Sequence, residues 1–106
     1  MIIYEVNLHI SASTFPEYFT WLTHHIDDML AIPGFKRATL LKEVGEAAAD
    51  PVRLSVQYAV ESLSALDDYL LHHAEHMRGR VPAQFIGKFS AARRVLESID
   101  KSDANA

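Results

Sequence analysis

The order of the predicted elements constrains the fold of this chain more than any single motif does. Within 106 residues, a strand, a helix and a strand follow one another, and the same order then returns. Alternating apolar residues predict the strands, whereas apolar residues three and four positions apart predict the helices. The predicted ranges are 1–10, 13–31 and 35–44 for the first unit, and 52–60, 62–78 and 88–99 for the second.

Two such units with right-handed connections predict one particular sheet. The first and third strands lie at its centre, the antiparallel strand order is 4-1-3-2, and both helices cover the same face. The predicted class is therefore α+β, with a single ferredoxin-like βαββαβ domain over residues 1–99. Residues 100–106 are small and polar, which predicts a flexible C-terminal tail.

Composition argues against several classes of function. The net charge is −4, whereas a nucleic-acid-binding domain usually carries a basic face. There is no cysteine, which excludes disulfides and thiolate chemistry, and no signal peptide is recognisable, so a cytoplasmic location is expected. No apolar run reaches the roughly 20 residues that span a bilayer, so no membrane partner is expected.

Alternation along the central strands predicts a sheet with two unlike faces, because successive side chains of a strand point to opposite faces. The residues expected to meet the helices are Tyr4, Val6, Leu8, Leu54, Val56 and Tyr58. The other face is polar, and either Arg93 or Arg94 is expected beside Glu5. Solvent or a second copy of the chain could cover this face, and the modest core favours a second copy. The predicted homodimer interface comprises Glu5, Asn7, His9, Gln57 and Arg93.

The second helix carries a predicted inner stripe and a short motif that resembles a metal site. Ser62 is the expected N-cap, and the residues expected to face the sheet are Leu63, Leu66, Leu70, His73 and Met77. Residues 72–76 spell His-x-x-Glu-His, the inverted zinc-protease signature. The third ligand is missing and the chain is too short for that fold, so no metal site is predicted.

Two groups of residues are candidates for a ligand pocket. His73 on the inner stripe is either a hydrogen-bonded core residue or a pocket wall with acid/base capacity, because imidazole titrates near neutral pH. Trp21 and His25, four residues apart on the first helix, form either an edge-of-core cluster or a second pocket wall that stacks on an aromatic ligand. Near the start of that helix, Ser13 or Thr14 is the expected N-cap.

Several motifs in order resemble a small bacterial domain family of unknown function. They are Met1-Ile2-Ile3-Tyr4-Glu5-Val6, Trp21 with His25-Ile26, Gly34-Phe35, Val56-Gln57-Tyr58, Tyr69 with His73-Ala74, Arg78, Phe85 and Phe89. The resemblance spans about residues 1–97 and implies membership of the dimeric α+β barrel superfamily, whose members pair two ferredoxin-like sheets face to face. That superfamily includes antibiotic-biosynthesis monooxygenases, heme-degrading enzymes and tetracenomycin-type polyketide cyclases.

Among the activities found in that superfamily, heme degradation is the least favoured for this chain. Heme-degrading members place an Asn on the first strand and a His on the second helix, which correspond here to Asn7 and His73. They also have a Trp on the third strand, where this chain has Tyr58. Alternation places Asn7 on the face away from His73, so no heme and no other cofactor is predicted.

The leading functional hypothesis is a homodimeric α+β barrel that binds a small aromatic or polyketide-like molecule between sheet and helices. Cofactor-free, cyclase-like acid/base chemistry would use His73 as the base and Tyr69 or Tyr58 as the proton donor. The expected ligand-binding residues are Tyr4, Trp21, His25 and Arg78. A non-enzymatic dimerisation or regulatory module is the alternative, and a heme-binding or monooxygenase-type enzyme is the third possibility.

Overall fold

A computed structural model describes residues 1–45 and 49–99 of the chain. The expected tail, 100–106, and the middle of the predicted loop at 45–51 therefore lie outside the described residues. The strands are β1 (Ile2–Ile10), β2 (Phe35–Lys42), β3 (Val52–Val60) and β4 (Phe89–Glu97). The helices are α1 (Phe15–Leu30), α2 (Leu63–His72) and α3 (Ala74–Arg78), and a single 3₁₀ turn covers Ala83–Phe85.

The four strands form one antiparallel sheet in the order β2-β3-β1-β4. Read from the other edge this is 4-1-3-2, so the predicted ferredoxin-like α+β fold is confirmed. The register places Tyr4 opposite Tyr58 and Glu5 opposite Gln57 across β1 and β3. On the other side of β1, Glu5 lies opposite Arg94.

The helices cover one face of the sheet only, and the molecule is a slab of 40 × 39 × 19 Å. We call the covered face the helix-side face and the other the open face. The helix-side residues of the central strands are buried as alternation predicts, and they include Tyr4, Leu8, Leu54, Val56 and Tyr58. From α1, the buried residues Tyr18, Leu22, Ile26 and Met29 recur at three- and four-residue intervals.

A proline and a glycine, and no capping side chain, mark the two ends of helix α1. Thr14 is its N-cap but makes no side-chain capping hydrogen bond, so the expected capping by Ser13 or Thr14 is not observed. Pro16 occupies the first turn, where its missing N–H does no harm. After the helix, Gly34 adopts a φ of 88°, a left-handed conformation that glycine reaches without strain.

The predicted second helix is divided in two at His73. Ser62 caps α2 as expected and accepts a 3.0 Å hydrogen bond from the N–H of Ala65. His73 has φ −125° and ψ −28°, outside helical geometry, and it separates α2 from α3. The buried residues are Leu66 and Tyr69 on α2 and Ala74 and Met77 on α3. Leu66 and Met77 are thus buried as predicted, but the predicted burial of Leu63 and Leu70 is wrong, because these residues are 54% and 40% exposed.

Candidate functional site

A cavity of about 320 Å³ lies between the helix-side face and the three helices. This volume is at the lower end of the range of small-molecule sites, roughly 300–1,000 Å³. Aromatic side chains form much of its wall: Tyr4, Tyr18, Trp21, Tyr58, Tyr69 and Phe89. Three further side chains bring nitrogen atoms to it: His25, Arg78 and Arg93.

The aromatic wall combines rings from the sheet with rings from the helices. Tyr4 and Tyr58 lie stacked on neighbouring strands with centroids 6.2 Å apart, and the Tyr69 ring from α2 lies 5.7 Å from Tyr4. On α1, Trp21 stacks on His25 at 4.7 Å and 17°, because residues four apart share a helix face. The predicted ligand-binding residues Tyr4, Trp21 and His25 therefore all line one cavity.

The hydroxyls of Tyr18, Tyr58 and Tyr69 keep their protons at neutral pH. Burial raises the pKa of Tyr69 to about 12, with a further increase from Tyr4, while the Arg78 and Arg93 charges act in the opposite direction. Burial likewise raises the pKa of Tyr18 to about 12 and raises that of Tyr58 above its usual range. These phenols can donate hydrogen bonds to a ligand but are poor proton acceptors.

Arg78 is held at the cavity by a buried tyrosine. It is the last residue of α3, and its Nη2 donates a 3.0 Å hydrogen bond to the Tyr4 hydroxyl. Arg78 was predicted as a ligand-binding residue, and the structure places it in the cavity wall.

Arg93 lines the same cavity, which corrects its predicted position on the open face. It lies opposite Val6, a helix-side residue, whereas Arg94 lies opposite Glu5. Apolar and polar residues do not alternate in the surrounding sequence, Ala91-Ala92-Arg93-Arg94, so the sequence does not show which of these residues face the helices. The pairing of β4 with β1 decides this, and it places Arg94 beside Glu5.

His25 is the titratable base that the cavity offers. Burial lowers its pKa, and the positive charge of Arg80 lowers it further, while Asp28 opposes the shift. Arg80 and Asp28 form an ion pair of 3.0 Å beside it. At neutral pH the imidazole is therefore neutral and able to accept a proton.

His73, the predicted catalytic base, is not among the residues that line the cavity. It is half-buried at the junction of α2 and α3, and its ring centroid lies 6.5 Å from that of Tyr69. The structure thus brings Tyr58 and Tyr69 to the cavity and leaves His73 behind Tyr69. The catalytic roles given to these three residues remain predictions.

The open face carries a connected hydrogen-bond network centred on Glu5, which is 3% exposed. Its carboxylate accepts hydrogen bonds from Arg94 Nε at 2.6 Å, Asn7 Nδ2 at 2.9 Å and Gln57 Nε2 at 2.8 Å. Ser55 Oγ donates to Asn7 Oδ1 at 2.6 Å. The bond from Arg94, followed by those from Asn7 and Gln57, lowers the pKa of Glu5 to about 2.

The positions of Asn7 and His73 bear on the heme hypothesis. Asn7 lies in the open-face network, whereas His73 lies among the helices on the other side of the sheet. The two residues that the resemblance associates with heme therefore do not share a site in this chain. Among the residues that the structure describes, no group of three or more His, Asp or Glu side chains could hold a metal ion.

The sequence model of one family, a domain of unknown function designated DUF4286, matches residues 1–99. The chain belongs to the DUF4286 family. The predicted resemblance to a family of unknown function is thereby confirmed, and comparison with curated proteins finds no significant match. No helix within the described ranges of this DUF4286 domain has the length and apolar character needed to cross a membrane.

Several solved structures share the fold of this DUF4286 domain. A proposed antibiotic biosynthesis monooxygenase of Deinococcus radiodurans has a TM-score of 0.75 and 13% identity, with 97% of each chain covered. The heme degrader MhuD of Mycobacterium tuberculosis has a TM-score of 0.72 and 17% identity, covering 97% of this chain and 100% of MhuD. SnoaB, a cofactor-independent oxygenase of Streptomyces nogalater, has a TM-score of 0.66 and 14% identity, covering 94% of this chain and 95% of SnoaB. At these identities the likeness shows a common fold and no particular activity.

Proposed function

We propose that this DUF4286 domain is a homodimeric protein that binds a small, planar aromatic molecule, polyketide-like in shape, in the cavity between its sheet and helices. The observation that carries the proposal is the convergence of Tyr4, Tyr58, Tyr69 and Trp21 on one cavity of about 320 Å³. Aromatic faces and neutral phenol donors suit a flat ligand with a few oxygen atoms.

The open face supports the homodimer. The polar side chains around Glu5 bond to one another within the chain, so a flat partner surface could cover them without leaving buried groups unpaired. Apolar side chains interrupt the same face, including Ile3 and Leu96, which lie opposite each other. Pairing of this face with its copy would leave the cavity, on the other side of the sheet, inside each protomer.

A fluorescence titration tests the proposal, because Trp21 is the only tryptophan and lies in the cavity wall. Naphthalene-2-carboxamide, an uncharged planar probe, is expected to change the Trp21 emission in a saturable manner. Absence of any saturable change would contradict ligand binding and favour a dimerisation or regulatory module whose aromatic residues only fill the core.

Two adjacent alanines on β4 provide matched variants. Ala91 lies in the cavity wall opposite Leu8, whereas Ala92 lies on the open face opposite Asn7. We expect Ala91→Phe to fill the cavity, weaken probe binding by about tenfold or more and leave the dimer intact. Ala92→Phe is expected to weaken the dimer in sedimentation and to leave probe binding unchanged. The reverse pattern would contradict both assignments, and circular dichroism checks that each variant folds.

Cofactor-free proton transfer in the cavity is a second candidate function, favoured by the neutral His25 in the wall. One imidazole nitrogen would take a proton from the carbon beside a carbonyl group, and a tyrosine hydroxyl would donate a hydrogen bond to the resulting enolate oxygen. In deuterium oxide, the methyl protons of bound 2-acetylnaphthalene would then exchange faster than in buffer. We expect His25→Gln to abolish this acceleration and His73→Gln to retain it. No acceleration by the unaltered protein would exclude this second function.

A further inference from the structure

The charged side chains of the described cavity wall, apart from the titratable His25, are both cationic. Arg78 and Arg93 belong to its wall, and no Asp or Glu is found among the wall residues that the structure describes. This is notable in a chain with 14 acidic and 10 basic residues and a net charge of −4. A concave site with cationic groups at its rim concentrates the field and attracts anions.

The two cavity arginines differ in pairing from three of the other four arginines of the chain. Arg53, Arg80 and Arg94 each form an ion pair, with Glu43, Asp28 and Glu5 respectively. Within residues 1–45 and 49–99, no ion pair involves Arg78 or Arg93. The Arg78 guanidinium has a neutral partner, the Tyr4 hydroxyl, which orients it without neutralising its charge. Both arginines are exposed, so they lie where the cavity meets solvent.

The two charges reach the cavity wall from different elements of the fold. Arg78 extends from the end of α3, and Arg93 extends from the edge strand β4, opposite Val6. Both lie close enough to Tyr69 for their charges to lower the pKa of its hydroxyl, against the larger effect of burial. An anionic group near Tyr69 would therefore interact with both guanidinium groups and with a phenol donor.

We propose that the cavity selects an aromatic carboxylate, with its rings against Tyr4, Tyr69 and Trp21 and its carboxylate between Arg78 and Arg93. The inference rests on the proposed function and adds the charge of the ligand to it. Guanidinium groups match the two oxygens of a carboxylate, and such charge-assisted hydrogen bonds are stronger than those to a neutral amide. The exposed position of both arginines spares the carboxylate complete desolvation.

Two isosteric probes test this selection. Naphthalene-2-carboxylate and naphthalene-2-carboxamide have nearly the same shape, but only the first is charged at neutral pH. We expect the carboxylate to bind about tenfold tighter, and this advantage to shrink with added salt. If both probes bind equally well, the charge selection is wrong while the proposed aromatic site stands. If neither probe changes the Trp21 emission, both the proposed function and this inference fail.

Variants of Arg78 and Arg93 test whether these two arginines cause the preference for the carboxylate. Arg93→Gln, at the edge of the sheet, is expected to reduce carboxylate affinity several-fold with little change for the carboxamide. Arg78→Lys retains a positive charge but loses the planar fork, so the preference should fall without disappearing. The matched control is Arg53→Gln, which removes an equal charge from the exposed ion pair with Glu43, outside the cavity wall, and should leave the preference unchanged. Equal losses in Arg93→Gln and Arg53→Gln would point to the overall charge of the protein and overturn the proposed site.

Discussion

The helix-side face and the open face of this sheet satisfy their polar groups in opposite ways, although strand β1 contributes to both. On the open face, Glu5 accepts three hydrogen bonds from side chains of the same chain. On the helix side, aromatic rings surround a cavity whose two arginines lack acidic partners among the described residues. A face whose groups bond to one another suits flat packing, whereas a cavity with uncompensated cations suits a ligand.

The largest loss of stability is expected from a substitution on the helix-side face. Tyr4 is 3% exposed, contacts the Tyr58 and Tyr69 rings and accepts the hydrogen bond from Arg78. We expect Tyr4→Ala to lower the free energy of unfolding by about 3–5 kcal/mol in urea denaturation, as for other buried aromatic residues. The control Tyr4→Phe removes only the hydroxyl and should lower it by about 1 kcal/mol. Similar losses in both variants would show that the tyrosine ring contributes little to the packing.

A smaller loss of stability is expected from a substitution one residue away, on the open face. Glu5→Gln keeps the shape of the side chain but replaces one acceptor oxygen by a donor amide, which conflicts with the donors that surround it. We expect the free energy of unfolding to fall by about 1–3 kcal/mol and the dimer to weaken in sedimentation. Glu43→Gln is the matched control, because Glu43 pairs with Arg53 in an exposed position and should change stability by less than about 0.5 kcal/mol. Equal effects of the two variants would mean that the network contributes no more than a surface ion pair.

Alternation of side chains in the central strands was sufficient to predict which face each residue occupies. Tyr4 and Glu5 point to opposite faces because β1 is regular and its polar and apolar residues alternate. The sheet order followed from the number and order of elements, since few topologies accommodate two right-handed units. The fold and the composition of both faces were thus accessible from local pattern.

Arg93 and the stripe on the second helix were not accessible in this way. In β4 the neighbouring alanines and arginines do not distinguish the two faces, so the register with β1 alone decides that Arg93 reaches the cavity. The break at His73 has no glycine or proline to signal it. Helical spacing from Leu66 fits Leu70 as well as Tyr69, and spacing from Leu70 fits His73 as well as Ala74, whereas the structure buries Tyr69 and Ala74. Tertiary packing decided these details.

Acid should weaken the open face selectively. The pKa of Glu5 is lowered from 4.5 to about 2 by its hydrogen bonds, so the folded protein holds the ionised form more firmly than the unfolded chain does. This contribution to stability is present above pH 4.5 and is lost as the pH falls towards 2. We expect the stability difference between the unaltered protein and Glu5→Gln to decline over this interval in urea denaturation. A difference that stays constant down to pH 2 would contradict the role of the ionised carboxylate.

The smallest expected effect concerns the pKa of His25, which tests whether the cavity wall shields the imidazole from solvent. Burial, and then the charge of Arg80, lowers its pKa below 6.5, so the folded protein binds a proton here less readily than the unfolded chain. This contribution to stability is therefore lost as the pH falls below 6.5.

In an NMR titration, the His25 imidazole should show a midpoint below 6.5, and Arg80→Gln should raise that midpoint. Lys36→Gln, which removes an equal charge from the ion pair with Glu61, is the control and should leave the midpoint unchanged. A His25 midpoint at or above 6.5 would mean that solvent reaches the imidazole freely, and it would remove the reason for preferring His25 as the proton acceptor of the cavity.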